Sequence, residues 1–353
     1  MDIKKRIKES RVIFVVPSLQ TGGAEKNMIW LTSKVQYSLL IVLTGEPVID
    51  SNYIFLEKKH TFYGYYKLLK LIREIDFKGS LITSLVHLNL YSRLTYNFLP
   101  QNCKLITREA AVLKNYYKDF NPLLRYILET LTKISINNCQ FIISQSDDMS
   151  NDLVSSYNLK PSKIIKISNP INIDVIKEKS IEYVSNINKS NDILNAIFIG
   201  RFEKQKNLTD LLEIILSIKR KIVLHLVGYG SEVNSILEFI KFNKIEHKVI
   251  YHGKIKNPMP LLNSCDVFLS TSLFEGSPNT FLESLSLGVP IITYDSPGGI
   301  SELLDNKENC HLININDKVS FIKKIESFHK SKINYDLNDN SEKNCLRLYK
   351  NII

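Results

Sequence analysis

The sequence predicts an α/β protein built from two Rossmann-like, doubly wound domains. Short apolar runs rich in β-branched residues alternate with longer segments of helical period, which is typical of parallel sheets covered by helices. This alternation stops at one polar stretch near the middle and then restarts, and 353 residues suffice for two domains. Because ligands bind at the carboxyl ends of parallel strands, we expect a site in a central cleft between the domains.

The individual elements follow from this alternation. In the first half we expect strands at residues 11–16, 39–43, 81–85, 104–107, 141–144 and 164–167, with helices at 24–34, 65–75, 123–136 and 147–157. In the second half we expect strands at residues 193–199, 222–227, 248–251, 267–270 and 289–293. The predicted organisation is a domain at 1–176, a linker at 177–192, a domain at 193–330 and a C-terminal segment at 331–353. The C-terminal segment contains a polar helix, and the sequence does not indicate which domain this helix packs on.

Composition and charge exclude several classes of protein. The apolar runs stop far short of the ~18 residues of a membrane-spanning helix, and no apolar signal region follows the charged N-terminus. The five scattered cysteines form no CxxC or Cys/His cluster, so we expect neither disulfides nor a zinc site. This cysteine usage predicts a cytoplasmic protein. Residues 1–180 hold 25 Lys and Arg against 16 Asp and Glu, whereas residues 181–353 hold 21 against 20. The first half is therefore expected to face an anionic partner.

The densest signal lies in residues 270–290, where a predicted strand is followed by a loop and a helix. Gly276 lets a ligand approach the helix start near Asn279 and Thr280, where backbone N–H groups and the helix dipole favour phosphate or sugar oxygens. Glu275 and Glu283 flank this point, with seven residues between them, so both carboxylates can reach one ligand. The alternative is an ordinary helix cap with a solvated Glu283.

Two cations follow the strand at 193–199. Arg201 and Lys206 lie across a strand-to-helix turn, with Asn207 as the expected N-cap. Together they would neutralise a diphosphate leaving group as its charge develops. The alternative is a pair of solvated surface cations.

Three weaker signals also follow predicted strands. Gly22 and Gly23 leave room for a phosphate or sugar, but they form neither a GxGxxG fingerprint nor a P-loop and could be a simple turn. Gly228 and Gly230 predict a tight turn beside a nucleotide, without the third glycine of a dinucleotide site. His87 follows the strand at 81–85 and is either a functional or a structural histidine.

Together these motifs resemble the family 4 glycosyltransferases, which have the two-Rossmann-domain GT-B fold and usually retain the anomeric configuration. The resemblance runs from about residue 12 to about 312. It rests on residues 22–25, 168–171, 200–202, 206–208, 228–230, 274–283 and 297–302. Cys310 departs from the glycine that the family often has there, and residues 107–109 match the family only loosely and receive no role.

The resemblance implies a role for each matching residue. It implies that the first domain binds the acceptor and the second binds the nucleotide sugar, with His87 near the donor sugar and Glu275 on its hydroxyls as catalytic residues. The implied donor-binding residues are Gly22, Gly23, Arg201, Lys206, Gly228, Gly276, Asn279, Thr280 and Glu283. No cofactor and no metal are expected, because the cations and the helix dipole replace a divalent ion.

We therefore predict a hexosyl- or N-acetylhexosaminyl-type transferase that moves a sugar from a nucleotide sugar to a glycan or lipid-linked acceptor in surface polysaccharide or glycolipid assembly. Residues 63–73 and 114–125 interleave Tyr, Leu and Lys, which is typical of a surface that docks on a membrane, here the inner face of the cytoplasmic membrane. The alternative is that these segments are amphipathic helices packed on their own sheet. No nucleic-acid partner is expected. Three alternatives remain: a nucleotide-sugar epimerase of the same architecture, an NAD-dependent oxidoreductase, and a non-catalytic binding module.

Overall fold

The protein is described here from a computed structural model. The structure describes residues 3–19, 22–45, 53–181, 187, 190 and 192–353. The chain divides into two compact units, 1–170 with 342–353, and 171–341. Among the described residues, no helix is long and apolar enough to cross a bilayer.

Unit 1 contains a seven-stranded parallel sheet with the order β3-β2-β1-β4-β5-β6-β7. Its elements are α1 (Ile3–Glu9), β1 (Val12–Val16), α2 (Gly23–Lys34), β2 (Ser38–Thr44), β3 (Tyr53–Glu57), α3 (Thr61–Glu74), β4 (Gly79–Ser84), α4 (Val86–Leu94), β5 (Cys103–Arg108), α5 (Leu113–Tyr117), α6 (Pro122–Ser135), β6 (Phe141–Ser144), α7 (Asp147–Tyr157) and β7 (Ile164–Lys166).

Unit 2 contains a six-stranded parallel sheet with the order β10-β9-β8-β11-β12-β13. Its elements are α8 (Ile173–Lys179), β8 (Leu194–Ile199), α9 (Leu208–Ser217), β9 (Ile222–Val227), α10 (Val233–Phe242), β10 (Val249–Tyr251), α11 (Met259–Ser264), β11 (Val267–Ser270), α12 (Asn279–Ser286), β12 (Ile291–Tyr294), α13 (Ile300–Leu304), β13 (His311–Ile313) and α14 (Lys318–Glu326).

Each sheet is apolar on both faces, and each face is the centre of one hydrophobic core. The central strands are accordingly continuous apolar runs, as in the fully buried Val12–Val16 of β1. This confirms the predicted fold class of two doubly wound parallel sheets. Two short edge strands, β3 and β13, are absent from the sequence prediction.

The boundary between the units differs from the predicted one. The division falls between Pro170 and Ile171, because α8 packs on α11 and α12 of unit 2, and the first part of the predicted linker at 177–192 is the end of this helix. The linker residues 182–186, 188, 189 and 191 lie outside the described part of the chain.

The C-terminal helix returns to unit 1. It is α15 (Glu342–Lys350), and its Cys345 and Tyr349 are buried in the same core as β1. The helix therefore covers part of one face of the first sheet. The sequence alone did not indicate this packing partner.

Candidate functional site

The candidate site of unit 2 lies where the strand order of its sheet changes direction. β8 pairs with β9 on one side and with β11 on the other, so the loops after β8 and β11 leave the same edge of the sheet in opposite directions. This is the switch point at which open α/β sheets bind ligands. The two densest sequence motifs occupy these two loops.

The loop after β8 is anchored by a buried phenylalanine between its two cations. Phe202 is fully buried against Phe198 and Tyr251, and its N–H donates to the Tyr229 carbonyl over 3.0 Å. Arg201, immediately before it, is exposed. The chain then forms a short 3₁₀ turn, Lys204–Lys206, which brings Lys206 back toward the sheet.

Backbone and side-chain hydrogen bonds join this loop to the loop after β11. The Leu273 N–H donates to the Gln205 carbonyl over 2.9 Å, and the Gln205 side chain donates to the Phe274 carbonyl over 2.7 Å. Thr271 adds a hydroxyl donation of 2.8 Å to the Asn207 carbonyl. The two loops therefore form one hydrogen-bonded unit.

This unit holds Lys206 and Glu275 in contact. Lys206 Nζ donates to Glu275 Oε1, with side-chain exposures of only 15% and 8%. A cation and a carboxylate held at one point can bind a phosphate oxygen and a hydroxyl group of the same ligand. The sequence predicted both residues, and the structure brings them together.

The loop after β12 holds the backbone at Glu275 and Gly276, and the remaining predicted residues of this motif lie on α12. The Glu275 N–H donates to the Pro297 carbonyl, and the Gly299 N–H donates to the Gly276 carbonyl, each over 2.9 Å. A Cβ on Gly298 would lie 2.1 Å from the Glu275 carbonyl oxygen, so only glycine allows this approach. α12 begins at Asn279 as predicted, and half-buried Asn279, Thr280 and Glu283 lie on its first two turns.

The glycines after β9 permit close backbone packing. Gly228 has φ 145°, and a Cβ there would lie 1.8 Å from the Gly200 carbonyl oxygen. A Cβ on Gly230 would lie 2.3 Å from the Phe202 carbonyl oxygen. The absence of a side chain at Gly228 and Gly230 therefore lets the loop of Arg201 pack against the end of β9.

In unit 1, Gly22, Gly23 and His87 lie at one edge of the sheet. Gly22 is the N-cap residue of α2 after β1, and Gly23 is the first residue of that helix. His87 is exposed in the first turn of α4, directly after β4. Because β1 and β4 are paired, both loops leave the carboxyl edge at the switch point of this sheet.

The same edge holds a buried polar network that sequence reasoning missed. Arg93 and Glu109 form a 2.6 Å ion pair with both side chains fully buried, and Arg108 donates to Asn169 Oδ1 over 2.5 Å. Asn27 of α2 donates to the same Asn169 oxygen over 2.8 Å. The detectable signal was the polar run of residues 107–109 at the end of β5, to which the sequence prediction assigned no role.

Unit 2 also contains a histidine pair, in which His225 is buried and His252 is exposed. His225 Nδ1 and His252 Nε2 are 2.9 Å apart, and the two rings stack. Burial, with the neighbouring His252, lowers the pKa of His225 to about 4, so the pair is neutral near pH 7. Within the described ranges, no three His, Cys, Asp or Glu side chains are grouped so as to hold a metal ion.

The chain is similar in sequence to known glycosyltransferases. Residues 180–345, which are nearly all of unit 2, match the family model of glycosyl transferases group 1. The chain is 26% identical, over 88% of its length and 87% of the relative's, to the N-acetylgalactosamine-N,N'-diacetylbacillosaminyl-diphospho-undecaprenol 4-alpha-N-acetylgalactosaminyltransferase of Campylobacter jejuni. It is also 32% identical to the lipopolysaccharide 1,6-galactosyltransferase of Escherichia coli K12, over 36% of this chain and 37% of that one.

Solved structures agree on the fold. The Anabaena protein HepE, in complex with UDP and glucose, superposes with a TM-score of 0.74 over 97% of this chain and 98% of its own, at 14% identity. The apo lipopolysaccharide outer core galactosyltransferase WaaB superposes with a TM-score of 0.69 over 96% and 98%, at 16% identity. The predicted GT-B fold and glycosyltransferase activity are confirmed. These relatives give no support to the epimerase alternative.

Proposed function

We propose that the protein is a retaining glycosyltransferase of the family 4 type that transfers a hexosyl or N-acetylhexosaminyl residue from a UDP-sugar to a saccharide on a lipid diphosphate. The contact between Lys206 and Glu275 at the switch point of unit 2 carries this proposal, because it presents one phosphate-binding and one hydroxyl-binding group together. The proposed biological role is surface polysaccharide or glycolipid assembly, which the names of the relatives support.

The proposed donor and acceptor follow from the names of similar proteins. HepE was solved with UDP and with UDP-glucose, which supports a UDP-sugar donor. The Campylobacter relative is named for a diphospho-undecaprenol acceptor and for an alpha linkage. Because common UDP-hexoses carry an α-linked sugar, an α-linked product supports retention of configuration.

In the proposed reaction, each residue of the unit 2 site has a separate task. Lys206 and Arg201 bind the diphosphate and stabilise the charge that develops as the bond from the anomeric carbon to its phosphate oxygen breaks. Glu275 accepts hydrogen bonds from the sugar hydroxyls, and Glu283 binds the ribose. The acceptor hydroxyl attacks the anomeric carbon on the same face from which the diphosphate departs. The proton of this hydroxyl passes to the departing phosphate oxygen. The product keeps the donor configuration.

We further propose that no divalent metal takes part, since the two cations supply the charge that a metal would supply. Transfer should then continue unchanged in excess EDTA. A loss of transfer in EDTA that Mg²⁺ or Mn²⁺ restores would contradict this part of the proposal.

A panel of UDP-sugars tests the proposal with two readouts, UDP release and the anomeric configuration of the product by NMR. We expect one donor to be used with retention, and Lys206→Met and Glu275→Gln to lower the rate by about 10-fold or more. Lys318→Met is the control for loss of another lysine–carboxylate contact in unit 2, because Lys318 of α14 pairs with Asp210 and Glu213 of α9 and not with Glu275. Tight UDP-sugar binding without turnover would favour the non-catalytic binding module.

Peripheral membrane association is a further part of the proposal, supported by α6. This helix packs chiefly on α4, α5 and α7. Its inward Thr132 is bonded to the Tyr117 hydroxyl over 2.9 Å, whereas its outward stripe is apolar. The stripe consists of Leu123, Tyr126, Ile127 and Ile134.

The surroundings of this stripe fit an anionic surface. Lys114, Lys118 and Lys133 are exposed beside it, so the face combines apolar side chains with positive charge. We expect flotation with phosphatidylglycerol vesicles, which Tyr126→Ser should weaken and Phe242→Ser, an exposed aromatic of unit 2, should leave unchanged. Equal flotation of both variants would refute this surface.

A further inference from the structure

A row of aromatic rings extends from His87 across the surface of unit 1. The ring centroids of His87 and Tyr91 are 6.4 Å apart, and those of Tyr91 and Phe62 are 5.7 Å apart. Successive rings are tilted by 71° and 85°, which is the edge-to-face arrangement that aromatic side chains prefer. Phe62 is 66% exposed, so the row ends in solvent.

The backbone positions this row at the edge of the sheet that binds ligands. Phe62 lies in the first turn of α3, which follows β3, and His87 lies in the first turn of α4, which follows β4. A Cβ on Gly64 would lie 2.4 Å from the Leu43 carbonyl oxygen, so the start of α3 rests directly on the end of β2. The row therefore lies at the carboxyl edge, where Gly22 also lies.

The spacing of the two helices is held by a buried contact behind the rings. Tyr65 of α3, which is 2% exposed, has its hydroxyl 2.9 Å from the hydroxyl of Thr95 at the end of α4. Burial raises the pKa of the Tyr65 hydroxyl, so it stays protonated as a hydrogen-bonding group. Phe62 and Tyr91 are thus presented by two helices whose spacing this contact fixes, which lowers the entropic cost of binding a ligand there.

We propose that Phe62 and Tyr91 form the stacking surface for a pyranose ring of the saccharide acceptor, a role that rests on the proposed transfer reaction. A pyranose has an apolar C–H face and a rim of hydroxyl groups, and the row offers an apolar face beside the polar atoms of Tyr91 and His87. An acyl chain would leave those polar atoms without a partner. The apolar stripe of α6 is the more suitable surface for lipid, because it carries no such polar groups apart from Tyr126.

Saturation-transfer NMR on the full chain tests this surface with methyl N-acetyl-α-galactosaminide as the probe. We expect saturation of the wild-type protein to pass to the pyranose ring protons of the probe. Phe62→Ala should weaken this signal by about 2- to 10-fold. Phe62→Trp should restore it. Phe98→Ala is the matched control, because Phe98 is an exposed phenylalanine of the same unit in the short turn after α4, beyond its carboxyl end.

Each other outcome overturns the proposal. Equal signals from Phe62→Ala and Phe98→Ala, or no ring saturation by the wild type, would refute the stacking surface. With octyl glucoside as a second probe, saturation of the octyl protons alone that Phe62→Ala abolishes and Tyr126→Ser leaves unchanged would assign the row to an acyl chain. UDP release by the wild type without acceptor is measured in parallel, so a failure of the transfer function is recognised separately. If transfer is present, Phe62→Ala should raise the acceptor KM and leave that UDP release unchanged.

Discussion

The contact between Lys206 and Glu275 can be tested by a double-mutant cycle on stability. Lys206→Met removes the cation and leaves a carboxylate that is 8% exposed, and Glu275→Gln leaves the ammonium group with a neutral partner. The double variant removes both charges. The cycle isolates the pairwise energy because each single change removes the same interaction.

The expected magnitude follows from the burial of the pair. Two unit charges about 3 Å apart attract by about 5 kcal/mol at an effective dielectric constant of 20, and desolvation offsets much of this. Breaking a fully buried pair costs about 3–5 kcal/mol. Because Lys206 keeps 15% exposure, we expect about 2–3 kcal/mol for each single variant, with a coupling energy of about 2 kcal/mol.

The assay is urea unfolding at pH 7, followed by thermal shift with and without UDP. A loss of 2 kcal/mol corresponds to a fall in Tm of about 4–8 °C for a unit of this size. Saturating UDP should raise the Tm of the wild type more than that of Lys206→Met, because the variant lacks a phosphate-binding cation. Lys318→Met, whose partners Asp210 and Glu213 are 14% and 43% exposed, should cost less, about 1–2 kcal/mol, because Lys318 itself is 35% exposed.

Two results would refute this reasoning. A coupling energy near zero would mean that Lys206 and Glu275 do not interact in solution. An equal UDP-induced shift in Lys206→Met and Lys318→Met would remove Lys206 from the proposed donor site.

Three further predictions concern stability. Gly228→Ala should unfold unit 2 or cost more than about 3 kcal/mol, since its Cβ would lie 1.8 Å from a carbonyl oxygen, whereas Gly253→Ala, with open space around it, should cost about 1 kcal/mol by urea unfolding. His225 has a pKa of about 4 against an ordinary 6.5, so the unfolded chain binds a proton first and stability should fall by up to about 3 kcal/mol between pH 6.5 and 4, a slope that His225→Asn should flatten. Glu109→Gln should cost about 3 kcal/mol in the same assay, because it leaves the buried charge of Arg93 without its partner.

The convergence of the two loops of unit 2 could be predicted from sequence because each loop is a local feature. Lys206 and Glu275 each follow a central strand within a few residues, and parallel strands bring their carboxyl ends to one edge. The ion pair itself was not predictable, since it depends on the hydrogen bonds between Gln205 and the loop after β11.

The orientation of α6 could not be predicted from sequence. Apolar residues at helical spacing predict a helix over 123–136, and the structure has it at Pro122–Ser135. The usual inference is that the apolar stripe faces the core. Here the helix forms an outer layer on α4, α5 and α7, so small polar side chains such as Thr132 and Ser135 point inward. Only the tertiary neighbours of a helix decide which face is buried.

The buried network of unit 1 explains why its share of the site was harder to predict. Charged residues are usually exposed, so a sequence reading assigns Arg108 and Glu109 to the surface, yet both are buried. Their environment is assembled from distant parts of the chain, since Asn27 and Asn169 meet across 142 positions. One asparagine oxygen thereby connects α2, which begins at Gly23, to the strand end that carries Arg108. The position of the first turn of α2 is thus a tertiary property, and Asn169→Ala should change the amide NMR shifts of Gly22 and Gly23 without changing either glycine.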